Sequence, residues 1–163
     1  TVVSDGGTYG FEISCSFIGI PFEVWQAGPV AKDVFIDLSD GPFLLKSFVK
    51  TDFRDGGTFI EAVADFDDSE FSECEIEMMD EVLAKYGNMT ASELVSETHK
   101  EGTLWYRTAA RAGLLEAFNK HECNNSDQQI NFTEAMSDCA AEDYRESLNI
   151  RQTANLLNAE SHV

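Results

Sequence analysis

Residues 72–105, SECEIEMMDEVLAKYGNMTASELVSETHKEGTLW, decide the fold class. Ser72 and Glu75 form the pattern of a capping box: the hydroxyl accepts the third free N–H of a helix, and the carboxylate reaches back to the cap. Ile76, Met79, Leu83 and Tyr86 then recur at helical spacing and make one apolar face. Gly87 is expected to stop this helix, because glycine tolerates the left-handed conformation. Thr90 and Glu93 repeat the capping box. The helix they start carries Leu94 and Val95 and ends near His99, where an imidazole gains from the negative end of the helix dipole. Gly102 interrupts the pattern. Leu104 to Phe118 is predicted to be helical again, with Trp105, Ala109, Ala112 and Leu115 on one stripe.

Working outward, Asn124 to Asp127 reads as a loop. A last helical region is expected after Asn131 or Thr133, with Tyr144, Leu148, Leu156 and Leu157 as its apolar positions and a fraying tail from about residue 150. Toward the front, Phe17-Ile18 and Phe22 to Trp25 are candidate strands. Gly28-Pro29 is expected to open a helix, since proline at the first helical position removes an N–H that has no partner there. Val30, Val34, Phe35 and Leu38 supply its apolar side, and Ser39-Asp40-Gly41 its stop. Pro42 is expected to start a second short helix carrying Phe43, Leu44, Phe48 and Val49. Asp55-Gly56-Gly57 signals a turn. Thr58 to Val63 is strand-like, expected as a hairpin arm or a short edge strand, with the region around Phe22 to Trp25 as a candidate pairing partner. The fold class is therefore mainly α (α+β): a compact helical domain with a minor β element or hairpin near its N-terminal third.

The length of 163 residues fits one domain, taken as 1–163. With 43% apolar residues the chain can bury a core. Acids outnumber bases 30 to 11, a formal charge of -19. That excess excludes a passive phosphate-binding surface and docking on anionic membranes, and it suits a basic protein partner. No apolar run reaches the length of a membrane span. Cys15, Cys74, Cys123 and Cys139 are scattered, with no CxxC and no Cys/His cluster, so reduced thiols in a cytoplasmic protein are expected. The sequons at Asn88, Asn124 and Asn131 matter only in a secreted protein.

Few residues suggest bond-making chemistry. GxSxG, a papain-like cysteine context and a P-loop are all absent. His99 is the first candidate base or ligand, but it has no second His or Cys at metal spacing, and a structural role at a helix end is expected. His121-Glu122-Cys123 are neighbours in sequence, which seldom converge on one ion. Asp65 to Glu70 has some flavour of a calcium loop but lacks the mid-loop glycine and the terminal Glu. Asp65 to Glu81 contains nine acids and no base, and reads as a solvated face leading into a helix. Arg107, Arg111 and Lys120 form a small basic cluster expected to pair with the chain's own acids. No catalytic residue, metal or cofactor is expected. Trp25 and Trp105 are candidates for partner anchors or for core supports.

Phe22-Glu23-Val24-Trp25-Gln26-Ala27-Gly28-Pro29-Val30 resembles the "aromatic, x, x, Trp, x, x, Gly-Pro-Val" signature of the Panacea domain, found in SocA-like antitoxins and related phage-associated proteins of bacteria. Lys85-Tyr86-Gly87 followed by Thr90-Ala91-Ser92-Glu93-Leu94 is similar to that family's "Tyr-Gly … Ser/Thr-Ala-x-Glu-Leu" stretch. Thr98-His99, Gly102 and Trp105 are similar to its "Thr-His … Trp" ending. Gly28, Pro29, Gly87 and His99 thus belong to scaffold signatures. Residues 1–21 are atypical, lacking the helices that precede the Trp motif in the family. The resemblance implies an antitoxin of a bacterial or prophage toxin–antitoxin pair, neutralising a toxin by direct binding and, in SocA-like members, handing it to a protease. Its partners would be a cognate toxin and a protease machine, with neither membrane nor nucleic acid. On this reading Glu73, Glu77, Asp80 and Glu81 steer a basic toxin, while Trp25 and Trp105 anchor or support the contact. Two alternatives stay open: an enzyme or ligand-binding domain with a site near His99, and an acidic phage-encoded nucleic-acid mimic.

Overall fold

The computed structural model describes residues 20–39, 41–54, 57–69 and 71–160, the side chains at 57, 58, 151, 152 and 154–160 excepted. The expected strand at Phe17-Ile18, the turn residues Asp55-Gly56, Cys15, His162 and the side chains of Leu156 and Leu157 lie outside the described residues.

Residues 20–130 form one compact unit. Its first strands, β1 (Glu23–Trp25) and β2 (Gly28–Val30), pair antiparallel across a two-residue turn at Gln26-Ala27. Gly28-Pro29 therefore lies in a strand, and the expected helix start there is corrected: α1 begins only at Lys32 and runs to Ser39. Proline is tolerated because Val24, its pairing partner, sends its own N–H to the opposite side, where Gln128 accepts it at 2.8 Å. Pro29 thus has no ladder bond to supply, and β2 is an edge.

The opposite edge of β1 is covered by residues 124–130, of which sequence reads Asn124 to Asp127 as a loop. Gln26 N donates to Asn124 O at 2.9 Å and Ile130 N donates to Phe22 O at 2.8 Å. Ser126 Oγ donates to Val24 O at 2.6 Å. Val24, held from both sides, is fully buried.

No helix follows Pro42. Asp37, in the last turns of α1, instead accepts the N–H groups of Phe43, Leu44 and Leu45 at 2.9, 2.9 and 3.1 Å. That carboxylate satisfies three successive backbone N–H groups of a turn that does not continue into a helix. The chain then enters β3 (Val49–Arg54) and β4 (Gly57–Ala62), a second antiparallel hairpin. The strand after the Gly-Gly signal therefore pairs with β3, and the expected pairing with Phe22 to Trp25 is corrected. Adjacent strands satisfy each other at the lowest loop-closure cost.

Both capping boxes form as the sequence predicts. Ser72 caps α2 (Glu73–Tyr86), and Thr90 caps α3 (Ala91–Thr98) with His99 as its C-cap. Gly87 ends α2 in the right-handed region, φ -63°, so its expected left-handed conformation is corrected. Glycine fits there because a Cβ would stand 2.6 Å from Leu83 O. The expected single helix from Leu104 to Phe118 is two helices, α4 (Leu104–Arg111) and α5 (Leu114–Asn119), broken at Gly113 with φ +70°. The break turns Phe118 back onto Trp105, ring centroids 6.1 Å apart. Val24, Trp105, Thr108, Ala109, Phe118 and Ile130 make the buried centre.

The second unit includes residues 131–160. Asn131 caps a 3-10 turn over Phe132–Ala135, and α6 follows over Asp138–Glu160, with Ala141 buried. Among the described residues the fold is mainly α, with two small hairpins in the N-terminal half.

Candidate functional site

The β1–β2 turn is where three distant stretches meet. Trp105 Nε1 donates to Trp25 O at 2.9 Å. One nitrogen of His99, Nε2, is 3.0 Å from Gln26 O, and the other, Nδ1, is 2.6 Å from Val95 O. The His99 ring lies on Trp105 with centroids 3.6 Å apart. Gly28 takes φ +117°, and a Cβ there would sit 3.2 Å from Thr98 Oγ1. Gln26 Nε2 donates to Phe118 O at 2.7 Å, and Gln26 also meets His121 Nδ1 at 2.9 Å. The hairpin is thereby bolted to the ends of α3 and α5 and to the start of α4.

This node holds the scaffold together. Both nitrogens of His99 face backbone carbonyls, and one ring face is covered by indole, so neither nitrogen is presented to a substrate. Trp105 is 3% exposed and serves the core. Trp25 is half-buried: its Nε1 donates to Glu23 Oε2 at 2.9 Å, its ring packs edge-on against Phe35 at 5.2 Å, and Glu23 also meets Lys32 at 3.4 Å. Among the described residues, no group of three or more His, Cys, Asp or Glu side chains is placed to hold a metal ion. His121 lies in the left-handed region at φ 55° and is exposed beside Gln26.

The accessible surface lies elsewhere. Glu73, Glu77, Asp80 and Glu81 are all exposed. At 100° per residue they lie on one side of α2, with Asp80 bordering the stripe of Ile76, Met79 and Leu83. The apolar side is itself only part-covered: α2 buries no residue, and Leu83 is 65% exposed. Sequence periodicity located both faces of α2, but it carries no signal for whether the chain covers the apolar one.

Electrostatics around the helix starts is local. Glu93 accepts from Thr90 N and Thr90 Oγ1, both at 2.8 Å, and these bonds, the backbone one foremost, hold its carboxyl below the usual range. The N–H of Leu44, with those of Phe43 and Leu45, does the same for Asp37. Asp67 is lowered by the Ser69 hydroxyl and then by the Ser69 N–H.

The family model for the SocA-like antitoxin, Panacea domain, matches residues 9–106. The match takes in the β1–β2 turn, both capping boxes, His99 and Trp105, and it also includes residues 9–21 ahead of the Trp motif. No curated protein and no solved structure matches the chain.

Proposed function

The chain belongs to the SocA-like Panacea family, and from that premise we propose that it is the antitoxin of a bacterial or prophage toxin–antitoxin pair and neutralises its toxin by stoichiometric binding. The family match over residues 9–106 carries the proposal. Two structural features support a binding role. The signature residues are spent on the packed node around Trp25, His99 and Trp105. The acids Glu73, Glu77, Asp80 and Glu81 are exposed, in a chain of net charge -19.

In this proposal Glu73, Glu77, Asp80 and Glu81 attract a basic toxin and speed encounter, while buried apolar contacts set the lifetime of the complex. Trp25 and Trp105 act from beneath, by fixing the hairpin that the helices pack against. The proposed setting is the cytoplasm; among the described residues, no helix is long and apolar enough to cross a membrane. Delivery of the bound toxin to a protease is the fuller form of the proposal, and a shorter toxin half-life in cells that express the antitoxin is its readout.

The test is coexpression of the chain with the product of the adjacent gene. The expected result is a 1:1 complex on size exclusion and rescue of growth when the neighbour is toxic. Separate elution, with growth still arrested, overturns the proposal.

A further inference from the structure

The β3–β4 hairpin has two chemically different faces. Its register pairs Val49 with Ala62, Thr51 with Ile60, and Lys50 with Glu61. Directly paired residues lie on the same face of a sheet and alternate along each strand. Val49, Thr51, Phe53, Ile60 and Ala62 therefore share one face. Lys50, Asp52, Arg54, Phe59 and Glu61 share the other.

The second face is internally satisfied. Lys50 pairs with Glu61 at 3.1 Å, Arg54 lies 3.8 Å from Asp52, and the Arg54 guanidinium sits over the Phe59 ring at 4.4 Å. The first face is mainly apolar and is open at Phe53, Ile60 and Ala62, with Val49 and Thr51 half-buried. Phe53 is 74% exposed and Ile60 is 54% exposed. Among the described residues no third strand joins this sheet. A lone two-stranded hairpin is marginal in water, and an apolar face left open on one is the mark of an interaction site.

The charge nearby selects the occupant. Asp65 to Glu81, immediately after β4, holds nine acids and no base, while the hairpin cations Lys50 and Arg54 already have acidic neighbours. A second copy would bring one such acid run against another, in chains each of net charge -19. A partner with an apolar groove flanked by Lys and Arg meets both features at once.

We propose that the Val49/Thr51/Phe53/Ile60/Ala62 face of the β3–β4 hairpin is the docking surface for a basic protein partner, with Phe53 and Ile60 as its anchors. This rests on the antitoxin reading and names the surface that would carry it.

The experiment uses the full chain, the F53S/I60S double variant and the product of the adjacent gene as probe, with affinity read by calorimetry at low and high salt and melting followed in parallel. The expected result is a loss of affinity of at least about 30-fold in the variant, consistent with removing two anchors. Its melting temperature should be unchanged or raised, and wild-type affinity should weaken with salt. Equal binding by the variant overturns the surface and leaves the antitoxin reading standing. No binding by the wild type overturns that reading, and the surface assignment falls with it. A lower melting temperature in the variant shows the face covered by the chain itself and overturns the proposal, as does wild-type self-association that the variant abolishes. Salt-independent affinity overturns the basic character of the partner.

Discussion

At Gly28 the backbone φ of +117° excludes most side chains, and Thr98 Oγ1 stands 3.2 Å from where a Cβ would go. Gly28→Ala is expected to cost about 1–3 kcal/mol of stability, the usual range for a strained φ, measured by urea denaturation. His99 works on the same turn from the other side. A neutral imidazole has one N–H and can donate to one of its two carbonyls, while an imidazolium can donate to both. Either way, His99→Ala removes at least one bond to a backbone carbonyl and uncovers one face of Trp105. The expected loss is about 2–4 kcal/mol, read by denaturation with tryptophan fluorescence. Complex formation with the neighbouring gene product should persist at temperatures where the variant stays folded. A variant of undiminished stability that loses function would contradict the structural role.

Elements held by local bonds follow the same logic one level up. Thr90 Oγ1 and Glu93 satisfy free backbone donors of α3, so Thr90→Ala should cost about 1 kcal/mol, seen as a lower melting temperature. The carboxyls of Glu93 and Asp37 are held below their ordinary range by N–H and O–H donors present only in the folded chain. Folding therefore favours their ionised forms. That stabilisation is complete above the ordinary carboxylate range and disappears as pH falls through the lowered folded values. The melting temperature should drop on acidification across that window, and an E93Q/D37N variant should show a flatter profile. Such capping boxes were legible in the sequence because donor and acceptor are three residues apart. The Gly28-Pro29 start was misread because proline suits both a helix N-terminus and an edge strand. What decides is the Val24 N–H to Gln128 O bond, whose partners are far apart in the chain. Likewise the Asp37 carboxylate, reaching forward to Phe43, Leu44 and Leu45, holds a turn where a helix is expected after Pro42. The turn-forming node was readable as residues, Trp25, Gly28, His99 and Trp105, but their convergence rests on tertiary contacts that spacing does not encode.

For the whole molecule the question is what its charge does. A long-range field accelerates encounter and is screened by salt, whereas apolar anchors act only after contact and slow dissociation. The exposed acids of α2 and the open face of the β3–β4 hairpin should therefore separate kinetically. With the neighbouring gene product as probe, Glu77→Lys combined with Asp80→Lys should lower the association rate constant about tenfold. The dissociation rate should barely change, and the salt dependence of association should flatten. Stopped-flow mixing over a range of salt concentrations makes the measurement. If instead the charge reversal accelerates dissociation and leaves association intact, Glu77 and Asp80 sit inside the contact, and their acidic side of α2 must be counted as interface. An effect on neither rate would place the docking surface far from α2 and remove the steering role from these four residues.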